Sequence, residues 1–207
     1  LVAQETEAAL AMGAVAAPSD PDEKHEFEYF GAPLTRIVRS RLGWLLLLFL
    51  GGTLTGTVLQ HFEGELSRVV ALSFFIPLII GTGGNAGSQT VSTIIRALAL
   101  KQVTVKDVLR VAFREMSSGL VLGGILCAVA VGRVTLWGVG GSLALTVGLT
   151  VLAVCVWANA MGALVPLAAE RFGFDPTVAS APLIATLVDA TGLAIYMLIA
   201  KAILPDI

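Results

Sequence analysis

The chain has 207 residues, of which 56% are hydrophobic and only 14% charged, with a formal net charge of −2 and a mean hydropathy of +0.87. A soluble globular domain carries about 25% charged residues, so the composition argues against a water-soluble fold. The absence of a basic arm argues against nucleic acid as a partner.

The charges are unevenly placed. Residues 1–40 hold Glu5, Glu7, Asp20, Asp22, Glu23, Glu26 and Glu28. Within them, 2–12 has helix-forming composition and stops at Gly13, and the run Pro18-Ser19-Asp20-Pro21 is a break. Residues 27–40 contain an amphipathic stretch with Arg36, Arg39 and the following Arg41 on its polar side, expected to lie on the membrane surface. No basic segment precedes a short apolar core, so no signal peptide is read, and a first residue Leu1 suggests a fragment or a processed chain.

Five apolar runs follow, at about 42–59, 69–98, 111–131, 143–168 and 177–204. Each has the roughly 20 residues needed to cross a hydrocarbon core of about 30 Å. Trp44 stands near the start of the first, Pro77 and a glycine-rich centre lie in the second, and Asn159 and Pro166 lie in the fourth. The short loops set the expected orientation. Arg36, Arg39, Arg41, Arg96, Lys101, Lys106, Arg110, Arg114 and Arg171 fall on one side, against Arg68, Arg133 and Lys201 on the other. That bias places the N-terminus in the cytoplasm and the C-terminus outside, with Glu63 and Glu65 in an outward loop. Cys127 and Cys155 lie within apolar runs without metal-type spacing and read as small buried side chains rather than a disulfide.

Asp189 is the strongest chemical signal, about halfway along the fifth run. A carboxylate at the bilayer centre costs at least about 2.5–3.5 kcal/mol on insertion scales, and it is tolerated where it meets water, a cation or a basic partner. No Lys or Arg stands at comparable depth in another run, which favours a cation pathway; a protonated or helix-capping Asp is the bland alternative. The second signal is the run GTGGNAGSQ at 81–89. At 1.5 Å per residue Asn85 lies about 24 Å into the second run and Asp189 about 18 Å into the fifth from the opposite surface, so the two reach similar depth. Glycine lets another backbone or a hydrated ion approach, and Thr82, Asn85, Ser88 and Gln89 offer the neutral oxygens that suit a cation reluctant to shed its water, such as Mg2+. The competing reading is helix packing through Gly83 and Gly87. Glu115, beside Arg110 and Arg114, lines a vestibule or is a solvated helix-end charge. Gly52 with Gly56, and Gly119 with Gly123, read as packing faces. His25 and His61 lack companion ligands, so no transition-metal site is expected.

No enzyme is expected. An intramembrane aspartyl protease needs two membrane carboxylates and only Asp189 qualifies, and no HExxH, nucleophile elbow or P-loop occurs. Passive transport of a divalent cation is the first reading. A proton- or Na+-coupled carrier of broader selectivity (Mn2+, Ca2+, Co2+) and a non-transporting scaffold are the alternatives.

Four segments together resemble the membrane domain of the MgtE magnesium channel family over about 41–204: Arg41-Leu-Gly-Trp44, Pro77 followed by GTGGNAGSQ, Ile95 to Leu100, and Pro182 to Gly192 through Asp189. The resemblance implies an all-α polytopic protein with five transmembrane helices per subunit and a pore at a homodimer interface, lined by the second and fifth spans. It implies that Asp189 of each subunit holds a largely hydrated Mg2+, the transported ion, helped by the carbonyl of Ala185 and by room at Gly192. Thr186, Ala181, Gly84, Asn85, Ser88 and Gln89 would line the pore. Other members often carry Asn where this chain has Ala181, which weakens the expectation of strict Mg2+ selection over Ca2+ or Mn2+. Residues 1–40 resemble the family's cytoplasmic connecting segment, and 41–207 the conducting domain. The family's cytosolic regulatory domains are not in these 207 residues, so Mg2+-dependent closure is not expected of them alone. The localisation implied is a cell membrane.

Overall fold

A computed structural model describes residues 33–204, and these are helical apart from short turns. In chain order they form α1 (Leu34–His61), the short α2 (Glu63–Arg68), a 3-10 turn at Val70–Phe75, α3 (Ile76–Ala99), a 3-10 turn at Val105–Asp107, α4 (Val108–Leu136), α5 (Gly141–Arg171), a 3-10 turn at Pro176–Val178, and α6 (Ala181–Ile203). Among the described residues five stretches are long and apolar enough to cross a membrane: Leu34–His61, Val70–Ala99, Val105–Leu136, Gly141–Arg171 and Ala181–Ile203. The all-helical, five-span architecture is therefore as expected.

Two boundaries differ from expectation. The first span begins at Leu34 and takes in Arg36 and Arg39, so residues 34–40 continue into the spanning helix rather than forming a separate surface element. No glycine or proline interrupts 34–42, and extended Pro33 starts the helix. The stretch 1–32, including the rest of the expected amphipathic segment, lies outside the described residues. The last span begins at Ala181 because a proline-led 3-10 turn at Pro176–Val178 and extended Ser180 occupy the residues before it.

The buried core sits around α5, which packs against α4, α3 and α6. Its buried hydroxyls are satisfied within the helix: Thr146 donates to the Ser142 carbonyl at 2.8 Å and Thr150 to the Thr146 carbonyl at 2.7 Å. Without such bonds a hydroxyl in this apolar interior would cost a few kcal/mol. By contrast α1 has no buried residue and leans on α6. Large apolar side chains on α1 and α4, such as Phe49, Leu50, Val121 and Val129, stay exposed, as a lipid-facing belt requires.

Close helix contacts are made at glycines. A Cβ added at Gly119 would meet the Cys155 carbonyl and the Val156 Cα, both at 2.9 Å, and one at Gly123 would meet Leu152 Cα at 3.0 Å. Gly119 and Gly123 thus form the expected packing face. Gly52 and Gly56 do not, since nothing lies within 4 Å of a Cβ built there; the α1 glycine that touches α6 is Gly51, against Thr186.

One polar tie joins α2 to the C-terminal end of α6. The Lys201 ammonium donates to the Glu65 carboxylate. That hydrogen bond, with the lysine charge behind it, holds Glu65 below the usual carboxylate range. A depressed folded value means that the tie is intact above the ordinary carboxylate pKa and is lost as pH falls through the lowered one. Acidification should therefore speed amide exchange across 63–68, after correction for intrinsic rates, while the spans stay protected. Lys201→Met should give the same faster exchange already at neutral pH, and exchange indifferent to both changes would dismiss the tie.

Candidate cation pathway

The α3 and α6 helices run antiparallel with a register that can be read from their contacts. Ser88 Oγ reaches the Ala181 carbonyl at 3.5 Å, Gly87 faces Ile184, Gly83 faces Val188, and Tyr196 Oη donates to the Leu72 carbonyl at 3.1 Å. This register brings Gly84 against Ala185 and Asp189. A Cβ placed at Gly84 would lie 3.6 Å from Ala185 Cβ and 3.6 Å from Asp189 Oδ1. Gly84 is midway along Val70–Ala99, so the carboxylate sits at mid-span depth.

Asp189 lies inside α6, about two turns from Ala181, so it is not a helix cap. It is half-buried, neither sealed among apolar side chains nor fully outside. Among the described residues nothing donates a hydrogen bond to its carboxylate and no cation pairs with it. Gly84, Ser88, Ala181, Ala185 and Asp189 are all half-buried along one groove between α3 and α6. The groove therefore presents a carboxylate, a hydroxyl and a strip of small residues. That donor set suits an oxygen-seeking cation that keeps most of its water.

The expected pore residues do not all meet there. Thr186 turns toward α1, with its methyl against Gly51, and its hydroxyl donates to the Pro182 carbonyl at 2.9 Å. Gly192 faces Val154 of α5, with room for a Cβ at 3.4 Å, so the space it leaves is not beside the carboxylate. Asn85 and Gln89 point away from the groove into a cavity of about 620 Å³ between α3, α4 and α5, which Glu115 also lines. Within GTGGNAGSQ the two sequence readings divide by face. Gly83 and Gly87 are packing positions, where a Cβ would come within 2.7 Å of Val154 and Val188 and 2.8 Å of Ile184 respectively, whereas Gly84 opens the groove.

Asn159, the carboxamide in the fourth apolar run, is a further functional candidate. It is 2% exposed in α5, accepts from Thr90 Oγ1 at 3.1 Å and donates to the Glu115 carbonyl at 3.2 Å, joining three helices. The signal available was a carboxamide inside an otherwise apolar span.

The comparisons with known proteins identify a family. The family model for MgtE, described as a divalent cation transporter, matches residues 76–199, a stretch that contains both Gly84 and Asp189. The magnesium transporter MgtE of Thermus thermophilus is 39% identical over 204 residues, covering 99% of this chain and 44% of that protein. That of Bacillus subtilis is 34% identical over 163 residues, and that of Enterococcus faecalis 36% over 161, each covering 78% of this chain and 36% of the relative. The chain thus spans less than half the length of these relatives. With a family match across four of its five spans, and a mid-membrane carboxylate in the matched part, this chain belongs to the MgtE family of divalent cation transporters.

Proposed function

We propose that the chain is the membrane part of a magnesium transporter that conducts Mg2+ passively through a pore on the two-fold axis of a homodimer. In this reading each subunit turns its α3–α6 groove toward the axis, and the two Asp189 carboxylates together offset the cost of bringing a dication into a low-dielectric core. The Ala185 carbonyl and Ser88 serve the water shell of the ion rather than the bare ion. The Lys and Arg bias places the α3–α4 turn and the N-terminal end of α1 in the cytoplasm.

The single observation carrying this reading is the half-buried Asp189 carboxylate, without a protein partner among the described residues, over Gly84 at mid-span. A groove with an open carboxylate cannot face lipid chains at that depth, so water, a cation or a second copy must cover it. The magnesium named for the curated relatives supports Mg2+ as the ion. The test is uptake of Mg2+, Mn2+, Ca2+ and Co2+ by liposomes carrying the protein. Passive conduction predicts uptake down the ion's own gradient that is unchanged when a pH or Na+ gradient is imposed or collapsed. Uptake that needs either gradient would replace the channel with a coupled carrier.

A further inference from the structure

We propose that the cavity between α3, α4 and α5 is a second site for a hydrated divalent cation, separate from the Asp189 groove, in which Glu115 supplies the charge and Asn85, Gln89 and Thr93 supply neutral oxygens. The inference goes beyond the proposed pore, and the site stands on the opposite side of α3 from it.

Size and chemistry both suit such an ion. The cavity measures about 620 Å³. An octahedral Mg2+ with its six waters needs roughly 200 Å³ at about 30 Å³ per water. Asn85 and Gln89 are exposed on a span, so their unpaired amides call for a polar neighbour rather than hydrocarbon, while Thr93 donates its hydroxyl to the Gln89 carbonyl at 2.9 Å and has only its oxygen lone pairs to offer. Among the residues lining this cavity Glu115 is the one charged group. Arg110 and Arg114 line an adjoining cavity of about 370 Å³ together with Asp107 and Glu115 itself, and neither guanidinium forms an ion pair with the Glu115 carboxylate among the described residues. The two cavities share Thr93 and Glu115, so a polar route leads from the turn between α3 and α4 to the Glu115 carboxylate.

The carboxylate is also free to take a ligand. Its side chain forms no hydrogen bond or ion pair among the described residues. Asn159 is satisfied without it: the amide nitrogen binds the Glu115 backbone carbonyl at 3.2 Å, and its oxygen accepts from Thr90 at 3.1 Å. Asn159 is thus a positioning residue that fixes the α4 turn and leaves the carboxylate to the cavity.

The experiment is cation protection of an introduced thiol. In the full chain, with Cys127 and Cys155 replaced by Ser and Ala and the protein in lipid nanodiscs, Ser118→Cys places a thiol on the cavity wall. A neutral hydrophilic maleimide is expected to label it. Mg2+ at about ten times its half-protecting concentration should slow that labelling about tenfold, as saturation of one site requires. NaCl at matched ionic strength should not. Glu115→Gln should raise the half-protecting concentration about tenfold or more, and Glu115→Asp should retain part of the protection. Asp189→Asn should leave protection unchanged, which separates this site from the proposed pore. A Gln102→Cys control in the turn should label with or without Mg2+. A Ser118→Cys thiol that stays unlabelled while Gln102→Cys reacts would show a dry cavity and overturn the proposal. Protection that survives Glu115→Gln, or that NaCl reproduces, would overturn it equally.

Discussion

Asp189→Asn is expected to cut Mg2+ uptake into liposomes about a hundredfold or more, while the protein still inserts, elutes at the same volume and keeps its helical content. The substitution keeps the shape and removes only the charge, so the groove beside Gly84 should persist. The size of the effect follows from the barrier. Each 1.36 kcal/mol added to a barrier slows a process tenfold. A charge at mid-membrane depth is worth at least about 2.5–3.5 kcal/mol on insertion scales, and the loss falls on a dication. Asp189→Glu should be intermediate, because it keeps the charge but pushes it further across Gly84. In the wild type, uptake should also fall at acid pH as protons compete with the ion. Near-normal uptake through a folded Asp189→Asn protein would remove this residue from the pathway.

The second large effect is expected at Gly162. A Cβ there would lie 2.7 Å from the Gly87 carbonyl oxygen and 2.9 Å from Thr90 Cβ, so the methyl meets backbone rather than a movable side-chain tip. Gly162→Ala must therefore push α3 from α5. Overpacking of this kind costs typically about 1–3 kcal/mol. The displaced helix also carries Gly84 and Thr90, so the groove and the Asn159 buttress should both be disturbed. A clear drop in the melting temperature of the purified protein, with lower uptake, is the expected outcome. Gly124→Ala is the control, since nothing lies within 4 Å of its Cβ, and it should be near neutral. Equal stability of the two variants would contradict the close α3–α5 crossing.

The depth match between the glycine-rich run and Asp189 was legible in the sequence for a physical reason. A helix advances by a constant rise, so counting from each apolar boundary gives depth, and a single carboxylate in an apolar run stands out against its cost. Which glycine of α3 meets which neighbour was not legible. Gly83 and Gly84 are adjacent and chemically identical, yet one meets Val154 and Val188 and the other meets Asp189. Thr82, Asn85, Gln89, Thr93 and Arg96 recur at helical spacing and mark a polar face, but adjacent glycines carry no side chain that tells one neighbour from another. The choice is made by α5 and α6, which lie far away in sequence. Thr186 entered the expected pore through the family resemblance; it follows Ala185 by about 100° around α6, and its methyl turns toward Gly51. Gly192 was expected to leave space at the ion and leaves it instead against Val154.

The start of α1 was misplaced for a different reason. Arg36 and Arg39 predict a separate surface segment, whereas the helix that carries them runs from Leu34 to His61 without a break. Nothing in 34–42 breaks the backbone hydrogen-bond ladder, so the helix runs on.

The most direct test of the central claim is to see where the cation rests. Crystals of the full-length protein grown with Mn2+ in place of Mg2+, with anomalous differences recorded at the manganese edge, would locate it. The account predicts a peak in the α3–α6 groove beside Gly84, close enough to the Asp189 carboxylates of two subunits to be held through its waters. An empty groove with lipid chains against Asp189, and manganese only at other places, would contradict it.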